Sequence, residues 1–284
     1  MDKRRQGYIS EFHSNLNNLR SNNNLFDVKI LIGNEVIEAH KLVLAANSDY
    51  FKAMFTSDLR EARENEVVIE DVEPIIMRKI IGFCYTHQIS FVDVAAIEVL
   101  SAAGRFCMNS LISECEGLLG KVFGLLDWQK LMDISLTHSM ISLREKLVDL
   151  STFQFNVIMQ DSFLSEMKAS HWEVLLSEIG GHGPSEEDLF LKFVEWTKKD
   201  LDNRFDTFET LVQQIRFPQM TPKELVKICF IDLVESSKCC RKLIDEAKDC
   251  HLLGDDSALL RKLYPQHIFW APRTSPMRPS RHSE

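Results

Sequence analysis

The sequence predicts a small α+β domain, a short sheet with helices around it, followed by a second domain built of helices alone. Three observations carry that prediction. Apolar residues alternate at period two only in the first quarter of the chain, at Val28, Ile30 and Ile32 before Gly33-Asn34 and Val36, and again around Val67 and Ile69. Beyond Gly124 almost every apolar spacing is helical. The 284 residues suffice for two compact domains at about 100–200 residues each.

Taken in order, Ile9, Phe12, Leu16 and Leu19 recur at steps of three and four, one stripe of an amphipathic helix over residues 8–20 that needs a covering surface. Asn22-Asn23-Asn24 breaks it, and the alternation around Gly33-Asn34 then predicts a β-hairpin. A helical run over residues 42–46 ends near Asn47-Ser48, whose side chains can cap a helix over residues 50–55. Residues 56–65 are charged and aperiodic and read as an exposed loop before a third strand, Glu66-Val67-Val68-Ile69. Helical patterns follow over residues 75–85 and 94–119, the second carrying Ile97, Leu100, Gly104, Cys107, Leu111 and Cys115 as one stripe. The expected first domain covers residues 25–122, with residues 1–24 as its N-terminal helix.

The helical domain is expected over residues 123–264. Ser185-Glu186-Glu187-Asp188 is a partial capping box, and Thr221-Pro222-Lys223-Glu224 a full one with proline at the first helical position. Helices started there would turn Leu189, Phe193 and Trp196, and then Leu225, Ile228, Cys229 and Leu233, inward. Residues 265–284 are rich in Pro, Ser and Arg and read as a linker or disordered end.

Composition excludes several functions. An apolar fraction of 45% with 26% charged residues is that of a globular chain, not of a collagen-like or rod-like one. The net charge of −9 repels a phosphate backbone, so nucleic acid is not the expected partner. No apolar run follows Lys3-Arg4-Arg5, which argues against a secretory signal. The most apolar stretch, residues 75–83, is interrupted by Arg78 and Lys79 and is too short for a bilayer, so the expected location is the cytoplasm or the nucleus. Seven cysteines without a C-x-x-C pair fit reduced thiols. Cys107 and Cys115 read as small buried hydrophobes. Cys239-Cys240 beside Lys238, Arg241 and Lys242 is open to thiol activation, with an inert core role preferred.

Catalytic motifs are missing: there is no dinucleotide or phosphate loop, no H-E-x-x-H and no G-x-S-x-G. Gly180-Gly181-His182-Gly183-Pro184 is glycine rich, but it precedes Glu186-Glu187-Asp188, which would expel an anion, and reads as an interhelix hinge. The nine histidines show no metal-ligand spacing. His40, Asp27 and Cys107 can be arranged into a nucleophile–base set only by force, and a satisfied turn residue is the better reading of His40. No catalytic residue, metal or cofactor is expected.

Longer motifs carry a resemblance. Leu16-x-x-Leu19-Arg20, Phe26-Asp27-Val28 and Ala39-His40-Lys41-x-Val43-Leu44-Ala45-Ala46-x-Ser48-x-Tyr50-Phe51-x-Ala53-Met54-Phe55 closely resemble the BTB/POZ domain of kelch-like proteins. The likeness continues through Tyr85-Thr86, Leu100-x-Ala102-Ala103 and Cys115-x-x-Leu118-Leu119. Residues 125–253 resemble the BACK domain that follows it, in Val194-x-Trp196, Asp200, Arg204, Ile215-Arg216-Phe217-Pro218 and Cys240-x-x-Leu243-Ile244-x-Glu246-Ala247. The resemblance implies a dimeric adaptor that binds the cullin-3 N-terminal region and brings substrates to a ubiquitin ligase, here without a kelch propeller. It implies a cullin contact at Leu59-Arg60-Glu61, with Phe55 and Phe106 as further contacts, Phe106 being equally open to a core role. It also implies dimerisation through Ile9, Phe12, Leu16 and Leu19, with itself or with related BTB proteins. The alternative is a cullin-independent scaffold, transcriptional or cytoskeletal, or a short form that pairs with full-length relatives. One departure stands out: where the family often has glycine at a turn with positive φ, this chain has His87.

Overall fold

The computed structural model describes residues 3–22, 24–57, 65–91, 96–118, 127–181 and 183–253. The chain divides into two compact units, residues 1–143 and 144–284.

In the first unit, helix α1 (Lys3–Ser21) precedes strands β1 (Val28–Ile32) and β2 (Glu35–Ala39). The strands pair antiparallel with Val28 opposite Ala39 and Ile32 opposite Glu35, so the alternation buries Val28, Ile30, Ile32, Ile37 and Ala39 together on one face. Gly33 takes the left-handed turn position at φ +55°. Helices α2 (Lys41–Asn47) and α3 (Asp49–Thr56) then lead to β3 (Glu66–Val68), which lies parallel to β1, giving the order β2-β1-β3. A parallel neighbour needs such a crossover, whereas the antiparallel pair needs only its two-residue turn.

Ser48 ends one helix and starts the next. Its hydroxyl accepts the Phe51 N–H at 3.1 Å and donates to the Phe106 carbonyl at 2.6 Å. Helix α4 (Pro74–Thr86) follows with Pro74 at its first position, where no N–H is needed.

The stripe expected to run unbroken over residues 94–119 is two helices, α5 (Ala96–Arg105) and α6 (Asn109–Gly117). Between them Cys107 sits at φ +50°, and its N–H and that of Met108 fold back onto the Gly104 and Ala103 carbonyls. That is a Schellman stop made without glycine, which is why the sequence hides it. It also leaves Cys107 exposed rather than buried in a stripe, while Cys115 is buried as expected.

Helix α7 (Trp128–Thr137) packs on α5 within the first unit, so the packing boundary falls well beyond residue 122. Gly104 permits the approach: a Cβ there would run into His138 and Met140.

The second unit is helical throughout its described residues. After α8 (Ile141–Phe153), which spans the division, come α9 (Phe155–Ile158), α10 (Asp161–Glu166), α11 (Ala169–Glu178), α12 (Glu186–Lys198) and α13 (Leu201–Leu211). Two 3-10 turns lead to α14 (Pro222–Ile228), α15 (Asp232–Ser236) and α16 (Lys238–Leu253). Both sequence caps form: Ser185 Oγ accepts the Asp188 N–H at 3.0 Å, and Thr221 and Glu224 cap each other. The run that was to carry Leu225 through Leu233 inward is broken after Ile228. Leu233 is buried from the next helix, and Cys229 is only half-buried.

An aromatic cluster fills this core. Phe193 stacks on Trp196 at 5.7 Å and on Phe208 at 5.4 Å, with Trp172 at 5.0 Å. Arg204 lies over the Trp196 ring at 4.4 Å and donates to the Trp196 and Ser165 carbonyls, a cation–π contact and two hydrogen bonds from one side chain.

Candidate protein-interaction surface

The N-terminal stripe divides along α1. Ile9 and Phe12 are 42% and 61% exposed, Tyr8 beside them is 72% exposed, and Leu16 and Leu19 are half-buried. Three exposed apolar side chains on one short helical face leave a nonpolar patch facing water. Tyr8 stands four residues before Phe12 and so shares its face. That spacing is written in the sequence.

Helix α1 is held along the edge of that stripe, through His13 and Arg20. His13 Nδ1 donates to the Tyr85 carbonyl at 3.0 Å, the His13 and His87 rings meet edge to face at 4.5 Å, and Arg20 lies 5.1 Å over the Tyr85 ring. Tyr85 is the hub of this contact, and nothing in the sequence marked it as one. Its hydroxyl accepts the His40 N–H at 2.9 Å and pairs with His40 Nδ1 at 2.7 Å, while His40 Nε2 meets the Asn24 carbonyl at 2.9 Å. Because a carbonyl only accepts, the hydrogen-bond set is complete when Nε2 carries the proton and Tyr85 donates to Nδ1. His40 is thus the satisfied turn residue that the sequence suggested. Asp27 accepts the Lys41 N–H at 2.6 Å, which caps α2 from outside. Burial pushes the Tyr85 hydroxyl up to about 12 and the Cys84 thiol beside it up to about 12.

Leu59 and Glu61 lie outside the described residues. They follow directly on α3, whose last turn presents Phe55, half-buried, stacked on Phe51 at 5.9 Å with Lys41 over its ring. Phe106 is 0% exposed and stacks on Phe51 at 5.5 Å. It is core in this chain and not a surface anchor, because the stop at Cys107 turns its ring inward. Phe55 and Phe106 therefore meet on one ring, that of Phe51.

Cys239 and Cys240 sit beside three basic residues, yet burial dominates and both thiols are pushed up, Glu209 adding to the effect. That is the inert alternative. Among the described residues no three His, Cys, Asp or Glu side chains gather around a common metal position, and no helix is long and apolar enough to cross a membrane.

Comparison with known proteins matches residues 16–121 to the BTB/POZ domain family and residues 129–229 to the family described as BTB And C-terminal Kelch, or BACK. Among solved structures, the BTB domain of zebrafish PATZ1 is 30% identical, with 41% of this chain and 94% of that chain covered and a TM-score of 0.37.

Proposed function

This chain carries a BTB/POZ domain with a BACK domain behind it, modules that bind proteins and do not catalyse, and on that premise we propose that it is an adaptor that self-associates through α1. The observation that supports this reading is the row of exposed Tyr8, Ile9 and Phe12 on a helix that His13 and Arg20 already fasten along the adjoining side. A two-fold dimer buries the same patch from both copies, so one helix serves as both donor and receptor surface. Such an assembly presents each bound partner twice, and a divalent target is then held by effective concentration rather than by a large single contact. Related BTB proteins offering a similar stripe are the natural mixed partners.

Light scattering of the full chain tests the reading. Phe12→Asp is expected to raise the dissociation constant by roughly thirtyfold or more, the effect of losing about 2 kcal/mol from a central aromatic. A wild-type chain that stays monomeric at micromolar concentration overturns it.

A second reading is favoured by Leu59-Arg60-Glu61 immediately after α3: the adaptor's partner is the cullin-3 N-terminal region, and the assembly serves a ubiquitin ligase. The stacked Phe55, Phe51 and Phe106 fix the end of α3 that precedes this motif in the sequence. Recovery of a cullin-3 N-terminal fragment should fall sharply with Leu59→Asp plus Glu61→Ala. Equal recovery leaves the cullin-independent scaffold as the function.

A further inference from the structure

His13 on α1 and His87 at the end of α4 stand ring to ring, their centres 4.5 Å apart and their planes inclined at 62°, so an edge of one meets the face of the other. Both rings are tethered. His13 donates from Nδ1 to the Tyr85 carbonyl at 3.0 Å. His87 is the left-handed stop of α4, at φ +52°, with its N–H bonded to the Phe83 carbonyl and its ring 5.4 Å from that of Phe83. Turning either ring away gives up one of these contacts, so a change in their charge acts on the seam between α1 and α4.

We propose that this contact is an acid-released latch: it holds α1 on the end of α4 while at most one of the two rings is charged, and lets α1 go when both are. One proton is tolerated. The neutral and the charged ring of His13 both donate from Nδ1, and a cation against a neutral aromatic face is attracted to it. A second proton sets two like charges ring to ring at 4.5 Å, where they repel. The groups around the pair offer that second charge no partner. On α1, Arg20 is a further cation, lying over the Tyr85 ring, and on α4 the Cys84 thiol and Tyr85 hydroxyl are pushed up to about 12 and stay neutral. Ahead of α2, His40 is bonded to Tyr85 and Asn24, and the Asp27 carboxylate accepts the Lys41 N–H. The His87 pKa is accordingly lowered, first by burial and then by the charge of His13. A histidine lowered in the folded state contributes stability above its unfolded value near 6.5, and that contribution is lost as pH falls through the folded value. Release therefore comes on the acid side of about pH 6.5. The consequence for self-association rests on the reading above: α1 carries Tyr8, Ile9 and Phe12, so loosening α1 removes the footing of that stripe.

The test is amide hydrogen exchange of the full chain at about pH 7.5 and about pH 5.0, expressed as protection factors so that the intrinsic pH dependence of exchange cancels. The quantity read is protection of residues 8–21 relative to β1, which removes acid effects on the first unit as a whole, His138 included. In wild type that ratio is expected to fall about tenfold or more on acidification, and in His13→Gln and His87→Gly less than about threefold. Glutamine keeps a donor for the Tyr85 carbonyl, and glycine suits the positive φ at position 87. At about pH 5.0 both variants should be better protected in α1 than wild type, an outcome that ring packing alone would not give. A wild-type ratio that ignores pH, a variant that loses as much as wild type, or variants less protected than wild type in acid overturns the proposal. The latch lies within one chain, so the same fall is expected in Phe12→Asp. A fall that vanishes there overturns the latch and assigns the acid effect to self-association. A monomeric wild type removes the self-association reading and leaves this test intact.

Discussion

Tyr85 shows how much one side chain can connect. It closes the His40 network with its hydroxyl, receives His13 with its carbonyl and carries Arg20 on its ring. Tyr85→Phe keeps the packing and orphans the His40 N–H and Nδ1. The expected cost is about 1–3 kcal/mol, read from the urea midpoint. The cysteines separate by environment in the same way. Cys84, Cys115 and Cys240 are buried with their thiols pushed up, while Cys107 is exposed. A raised thiol pKa means less thiolate at neutral pH, so a brief alkylation at about pH 7.5 should label Cys107 well before those three. Mass spectrometry of the labelled peptides decides it. The identity of these residues was plain in the sequence, but not their exposure. Cys107 sat on a helical stripe and Phe106 beside it, and only the turn between α5 and α6 exchanged their sides.

At the scale of the element, the helices here stop in a way the sequence announces poorly. His87, Cys107 and Ser139 all take positive φ at helix ends where glycine would be the ordinary signal. A left-handed L-residue costs about 1–2 kcal/mol, and glycine loses about 0.5–1 kcal/mol in chain entropy. Cys107→Gly should therefore stabilise the first unit by roughly 0.5–1 kcal/mol in denaturant titration. Starts were far more legible than stops. The Thr221 box forms as written, and Thr221→Ala is expected to cost about 1 kcal/mol. The reason is range: a cap is a bond between residues three apart, whereas a non-glycine stop is tolerated only when surrounding packing repays it. Gly104 belongs to that second kind, since its lack of a side chain answers to His138 and Met140, more than thirty residues away.

For the whole molecule, the two interaction modules describe a protein with the capacity to bind other proteins. Its response to acid follows from His87 and His138, both lowered, His87 by burial and by His13, and His138 by burial. A histidine depressed in the folded state contributes its stability above the unfolded value near 6.5 and loses it as pH falls toward the folded one. Amide protection in the first unit should therefore be weaker at about pH 5.5 than at about pH 7.5. Equal protection at the two values would show that neither ring is held neutral by the fold.

Periodicity, turn glycine and capping residues by themselves determined the hairpin, the third strand and the helical second half, because each is written in neighbours a few residues apart. The tertiary structure alone decided that α7 packs with the first unit, that Phe106 is core, that Cys107 faces water and that His13 meets His87. Each of those depends on which distant surfaces come together, and burial is a property of that meeting rather than of any residue in it.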